Sequence, residues 1–214
     1  MEDLQKIEAP VGGLVLSPLN TKEESTKQFN EWLESSAVVS REFSNEEKIT
    51  NHHIVKEFIG IVGDKGISST FCLIGGAVVD IIEGRQPKDY DFMGATDSIK
   101  NKFEGAGYKF LYNTRTSDTY YKNGVTVQFL KTSVEDFDFE IGRSSFFFKG
   151  LALKVDKNSF DNKLLVPINF EKRRNVLNSL KRVPHWKKKG YSIDDTTYLS
   201  LLNNLGGESI NLNS

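Results

Sequence analysis

Twenty-two residues, Phe71 to Phe92, constrain this chain more than any other part of it: FCLIGGAVVDIIEGRQPKDYDF. Thr70-Phe71-Cys72-Leu73-Ile74 is a short apolar run between turn signals, which predicts a buried strand. Gly75-Gly76 follows. Ala77 to Ile82 then reads as a short helix, and Gly84 to Lys88 as a loop containing Pro87. Asp89-Tyr90-Asp91-Phe92-Met93 alternates acid and apolar residues, the pattern of a half-buried strand. The segment therefore predicts two strands joined by a glycine turn, a helix and a loop.

Each part has a chemical use. Glycine at positions 75 and 76 lets a phosphate approach the backbone, and N–H groups at the start of the next helix can face it. On a strand, residues i and i+2 share a face. Asp89 and Asp91 then project together, while Tyr90 and Phe92 face the core. Two carboxylates on one face can bind magnesium through hard oxygen ligands, leaving other positions to water and substrate phosphate. Two such ions can assist an in-line displacement.

The order Gly75, Gly76, Val78, Asp80, Gly84, Arg85, Asp89, Asp91 resembles the signature of the polymerase-β-like nucleotidyltransferase superfamily. It is most similar to the head domain of CCA-adding enzymes and bacterial poly(A) polymerases. Their motif reads Gly-Gly-x-Val-Arg-Asp, an apolar helix, Gly-Arg, then Asp-x-Asp. The resemblance covers roughly residues 66–150. It implies an α/β (α+β) fold, a mixed sheet with flanking helices, two magnesium ions and a nucleoside triphosphate substrate. In that reading Asp89 and Asp91 hold the metal, and Gly75, Gly76, Arg85 and Lys88 lie at the nucleotide. Phe137-Asp138-Phe139-Glu140-Ile141-Gly142-Arg143 looks like the family's later Asp-Phe-Thr-Ile-Asn strand. It carries over Asp138 as a site acid and Arg143 as a phosphate contact. Two departures stand out. Val79 replaces the usual Arg, and the strand where many relatives place a third acid offers Val127, Gln128 and Phe129. The long helical neck and tail that read tRNA in CCA-adding enzymes do not fit after residue 150.

The rest of the chain divides by pattern into an N-terminal helical extension (1–65), a core (66–170) and a basic C-terminal helical segment (171–214). Phe29, Trp32 and Leu33 give Thr21–Ser36 a helical period, and Asn45–Val62 reads as one further helix. Strands are expected at Tyr108–Tyr112, Tyr120–Lys122, Val125–Phe129, Phe137–Ile141 and Leu164–Val166, and Phe146–Leu153 is a further apolar segment. Helices are expected at Asn175–Val183, ending at Pro184, and at Thr196–Leu205. Residues 172–189 hold eight bases and no acid. Such a segment suits a polyanion, and Trp186 adds a ring that can stack on a base. Lys187, Lys188 and Lys189 are accordingly candidate acceptor-binding residues.

Composition excludes several classes. Fifteen Phe and seven Tyr supply core material. A net charge of −1 excludes a uniformly basic nucleic-acid coat. The single cysteine, Cys72, excludes a disulfide framework and a Cys-rich zinc site, and is expected as an inert core residue. No apolar run is long enough for a membrane span, and the first residues lack a secretory pattern, so the cytoplasm is the expected compartment. His52 and His53, adjacent on a helix, make a poor metal pair. Asp80 is expected to tie its helix to the following loop. Two functions remain: a magnesium-dependent nucleotidyltransferase acting on an RNA 3′ end or a protein hydroxyl, and a catalytically weak relative that binds nucleotide or RNA.

Overall fold

The computed structural model describes residues 43–63, 66–133, 137–168 and 173–206. The helix expected at Thr21–Ser36 lies outside the described residues. Seven strands form one mixed sheet. They are β1 (Cys72–Ile74), β2 (Tyr90–Met93), β3 (Lys109–Asn113), β4 (Ser117–Lys122), β5 (Val125–Leu130), β6 (Ser145–Phe147) and β7 (Ala152–Lys154). Their order is β3-β4-β5-β2-β1-β6-β7. Only the β2–β5 pair is parallel; the other neighbours are antiparallel. The helices are α1 (Phe43–Asn51), α2 (His53–Val62), α3 (Gly76–Ile82), α4 (Asp97–Gly105), α5 (Lys157–Asn162), α6 (Arg173–Lys187) and α7 (Asp195–Gly206). Among the described residues, no helix is long and apolar enough to cross a membrane.

The period-2 pattern of the central strands explains the two faces of the sheet. Leu73, Tyr90, Phe92, Val127, Phe129 and Phe146 point to one side and join Phe58 of α2 and Phe103 of α4 in the main core. Phe58 is fully buried, and its ring lies 5.1 to 5.5 Å from those of Tyr90, Phe92 and Phe103. The opposite side carries Cys72, Ile74 and Met93 in a small cluster with Phe147. Asp91 lies on that second side, level with Ile74 on β1 and Gln128 on β5. The sheet thus puts the polar residues of β2 on the face with the lesser apolar cover.

Several elements differ from the sequence reading: α4 and α5 were not expected, and the apolar Phe146–Leu153 segment forms the antiparallel β6–β7 pair. Asn45–Val62 is two helices, because His52 is extended (φ −63°, ψ 125°) and caps α2 with its carbonyl, which accepts from Lys56 N–H. Phe137–Ile141 is not a strand. Phe139 makes a single bridge to Pro167, and Glu140–Arg143 then turns as a 3-10 helix. That turn brings the Ser144 carbonyl to the Gly75 N–H at 2.8 Å. Leu164–Val166 contributes one bridge, Leu164 to Ser192, in place of a strand. Finally, α6 runs through Pro184 to Lys187. Gly190 (φ +88°) ends it, with Tyr191 N–H donating to Trp186 O and Gly190 N–H to Lys187 O. This is a Schellman cap, and the Trp186 and Tyr191 rings supply its usual apolar contact at 5.4 Å.

Phe58 is the junction of α2, α4 and β2. Phe58→Ala should destabilise the fold by about 3 to 5 kcal/mol, read as a lower denaturant midpoint. An unchanged midpoint would contradict this packing.

Candidate functional site

The site forms where β1 gives way to α3. Gly75 has φ +82°, a conformation open to glycine and strained for other residues. A Cβ on Gly76 would lie 3.0 Å from the Lys189 ammonium, a tight contact that the lysine end would have to yield to. Beside the pair opens a cleft of about 640 Å³, within the range of small-molecule sites. Gly76, Lys88, Asp89, Asp91, Gln128 and Asp138 line it, together with Lys181, Arg182, His185 and Lys189 from α6 and its end.

Asp89 and Asp91 do share this cleft. Burial raises the Asp91 carboxyl from 3.8 to about 7, and the charge of Asp89 adds to the rise while Arg182 opposes it. Gln128 stands in register beside Asp91, at the place where a third strand acid was sought. Asp138 lines the cleft, and its carboxylate is 3.3 Å from Arg182 Nε. Burial raises its pKa, with Arg182 opposing. Among the described residues, no group of three His, Cys, Asp or Glu side chains could hold a metal ion. The donor set still suits a hard divalent cation. Two crowded carboxylates, one of them resisting ionisation because it is buried beside the other, are what such an ion relieves.

Other expected residues divide between the cleft and its surroundings. Arg85 is outside the cleft lining. Its Nε donates to Asp80 at 2.8 Å, and its guanidinium also pairs with Glu83. Asp80 is buried and accepts from Lys189 Nζ at 2.6 Å as well. It ties α3 to the loop after it, and further to the end of α6. Arg143 pairs with Glu140 and does not line the cleft. Trp186 is only 2% exposed, packed with Val79, Phe139 and Tyr191, so its ring cannot stack on an RNA base. The three lysines separate: Lys187 and Lys188 are exposed outside the cleft, whereas Lys189 folds into it. Val79, where the motif has Arg, is a fully buried member of the same apolar cluster. The cleft roles of Lys181, Arg182 and His185 were not foreseen. Their spacing along one helical face was the available signal, and the expected stop at Pro184 obscured it. Cys72 is buried and unpaired with another cysteine, and burial pushes its thiol up to about 12, which keeps it inert.

The fold defined by this sheet and glycine turn is a nucleotidyltransferase-type fold, and solved structures share it. The Thermotoga maritima CCA-adding enzyme complexed with tRNA matches with a TM-score of 0.58 and 12% identity, over 76% of this chain and 44% of that one. A CCA-adding enzyme complexed with CTP matches at 0.59 and 13%, over 78% and 45%. A CCA-adding enzyme complexed with ATP matches at 0.55 and 14%, over 72% and 43%. This chain therefore spans less than half the length of those chains. No family model matches the sequence, and no curated protein matches it.

The raised Asp91 pKa has a consequence for stability. The folded protein favours the neutral carboxyl, so stability is lost as pH rises through about 7 and the second charge is forced beside Asp89. In chelator at about pH 8.5, Asp91→Asn should be more stable than wild type by roughly 1 to 3 kcal/mol, the gap narrowing as pH falls below about 7 and closing near pH 4. Magnesium should raise the wild-type melting temperature at the higher pH and leave the variant unmoved. Parallel pH profiles, or an equal magnesium effect, would contradict the carboxylate pair as a metal site.

Proposed function

We propose that this chain is a magnesium-dependent nucleotidyltransferase, which moves a nucleoside monophosphate from a triphosphate to an acceptor hydroxyl. The observation that carries the reading is the meeting of Asp89 and Asp91 with Gly76 in one cleft. Asp89 and Asp91 would hold two metal ions between them. Bound magnesium supplies positive charge for the attacking and leaving oxygens of an in-line displacement. Gly75 and Gly76 leave the backbone open to the phosphates, and Lys88 adds charge at the cleft wall. The acceptor oxygen bonds to the α-phosphorus, the α–β anhydride bond breaks, pyrophosphate leaves, and the hydroxyl proton passes to solvent. Asp138, held by Arg182, is a further carboxylate of the cleft.

The solved structures of like fold include complexes with tRNA, CTP and ATP, which favours an RNA 3′ end as acceptor. The exposed lysines Lys187 and Lys188 suit such a partner. A protein hydroxyl is the alternative acceptor, and incubation with labelled triphosphates, magnesium and cell extract separates the two by where the label arrives. A nucleotide-binding relative without turnover is the other reading, favoured by Gln128 standing where a carboxylate would complete the site.

Asp89→Asn combined with Asp91→Asn removes charge and little volume. Transfer should fall at least about a thousandfold while the fold persists, since metal charge contributes several kcal/mol to such displacements. Full activity in the double variant would end this reading. Gly76→Val sets a branched side chain against Lys189 and the phosphate path. It should raise the KM for triphosphate about tenfold or more, a loss of roughly 1.4 kcal/mol or more in binding. An unchanged KM would reduce Gly75-Gly76 to a turn.

A further inference from the structure

The five described bases of residues 172–189, Lys181, Arg182, Lys187, Lys188 and Lys189, do not form one surface. Lys181, His185 and Lys189 follow at i, i+4 and i+8, with Arg182 beside them, and all four line the cleft. Val183 and Trp186, on another face of the same helix, are buried in the second core cluster. The Schellman cap at Gly190 and the Trp186–Tyr191 contact fix this rotation, so the basic face is held toward the cleft. Lys189 is the most enclosed of the four. Its side chain is 14% exposed, and Nζ lies 2.6 Å from Asp80 and 3.4 Å from the Gly76 carbonyl. Arg182 reaches Asp138 at 3.3 Å, and its charge is felt at Asp91.

We propose that this face of α6 is the polyphosphate-binding wall of the site, with Lys181, Arg182 and Lys189 receiving the β- and γ-phosphates of a nucleoside triphosphate. The inference rests on the nucleotidyltransferase reading and deepens it. The cleft sets acids on β2 against bases on α6, and a triphosphate bridging magnesium and a basic wall satisfies both. Lys189 already hangs over Gly76, where the close phosphate approach is expected. His185, whose pKa burial and the charges of Lys189 and Arg182 lower, contributes a neutral hydrogen-bonding group between the cations. Arg182 exchanges its contact with Asp138 for a phosphate oxygen. The enclosed position of Lys189 favours a compact triphosphate over an extended RNA backbone. Lys187 and Lys188 remain outside for other contacts.

The test uses inorganic tripolyphosphate and a single-stranded RNA oligonucleotide as probes, with affinities read by calorimetry in magnesium. Lys181 and Arg182 are exposed, so Lys181→Ala with Arg182→Gln leaves the packing intact. The double variant should bind tripolyphosphate about tenfold or more weakly and raise the KM for triphosphate to match, as expected for lost charge-assisted hydrogen bonds. Lys187→Ala with Lys188→Ala, which removes the same charge from the same helix, should leave tripolyphosphate affinity as it was. Unchanged tripolyphosphate affinity in the first variant would overturn the proposal. So would a loss confined to RNA, which assigns the face to the acceptor. If wild type binds tripolyphosphate through this face but transfers no nucleotide, the transferase reading falls and the phosphate wall stands.

Discussion

The cleft depends on Asp80. This buried carboxylate accepts from Arg85 on the loop after α3 and from Lys189 at the end of α6, at 2.8 and 2.6 Å. A buried charge is tolerable only with such partners, and losing one of them strands the other. The arrangement therefore locks three parts of the chain to one another: the helix after the glycines, the loop leading to Asp89, and the C-terminal basic helix. Neighbouring Glu83 continues the network to Lys163 and accepts from the Tyr191 hydroxyl. This tie works with the packing of Val79 against Val183 and Trp186 to set the glycine turn and the basic face of α6 toward the same space.

The sheet supplies the opposing wall. β2 lies at its centre, between antiparallel β1 and parallel β5, and the aromatic cluster around Phe58 and Phe92 holds one face rigid. Alternation then obliges Asp91 to emerge on the other face, half-buried and next to Asp89. The fold accepts a carboxyl that resists ionisation at this point, a conflict with stability of the kind that marks functional sites. The same face carries Gln128 in register, so the strands themselves offer Asp91, with Asp89 one residue before β2.

How far this was legible in the sequence depends on the range of the interactions. β1, α3 and β2 were readable because their signals are local: an apolar run, two glycines, an acid–apolar alternation. The meeting of Asp89, Asp91 and Gly76 in one cleft follows from that short segment. The turn at Glu140–Arg143 was not readable, because the alternation of Phe137 to Ile141 mimics a strand while a tertiary hydrogen bond, Gly75 to Ser144, bends the chain. The helix through Pro184 was hidden because its continuation rests on the Gly190 cap and on Trp186 packing against Tyr191. That packing also buries the ring expected to meet RNA. Arg85 is held outside the cleft lining by Asp80 and Glu83, acids a few residues before it in sequence whose joint placement only the fold defines.

The central claim is that the cleft transfers a nucleotidyl group and releases pyrophosphate. The most direct measurement is incubation of the protein with magnesium, an RNA or protein acceptor, and triphosphate labelled either in the α-phosphate or in the γ-phosphate. The account predicts that α-label becomes attached to the acceptor while γ-label appears only in pyrophosphate. Transfer of γ-label to the acceptor, or triphosphate turnover that leaves both labels off it, would contradict the account.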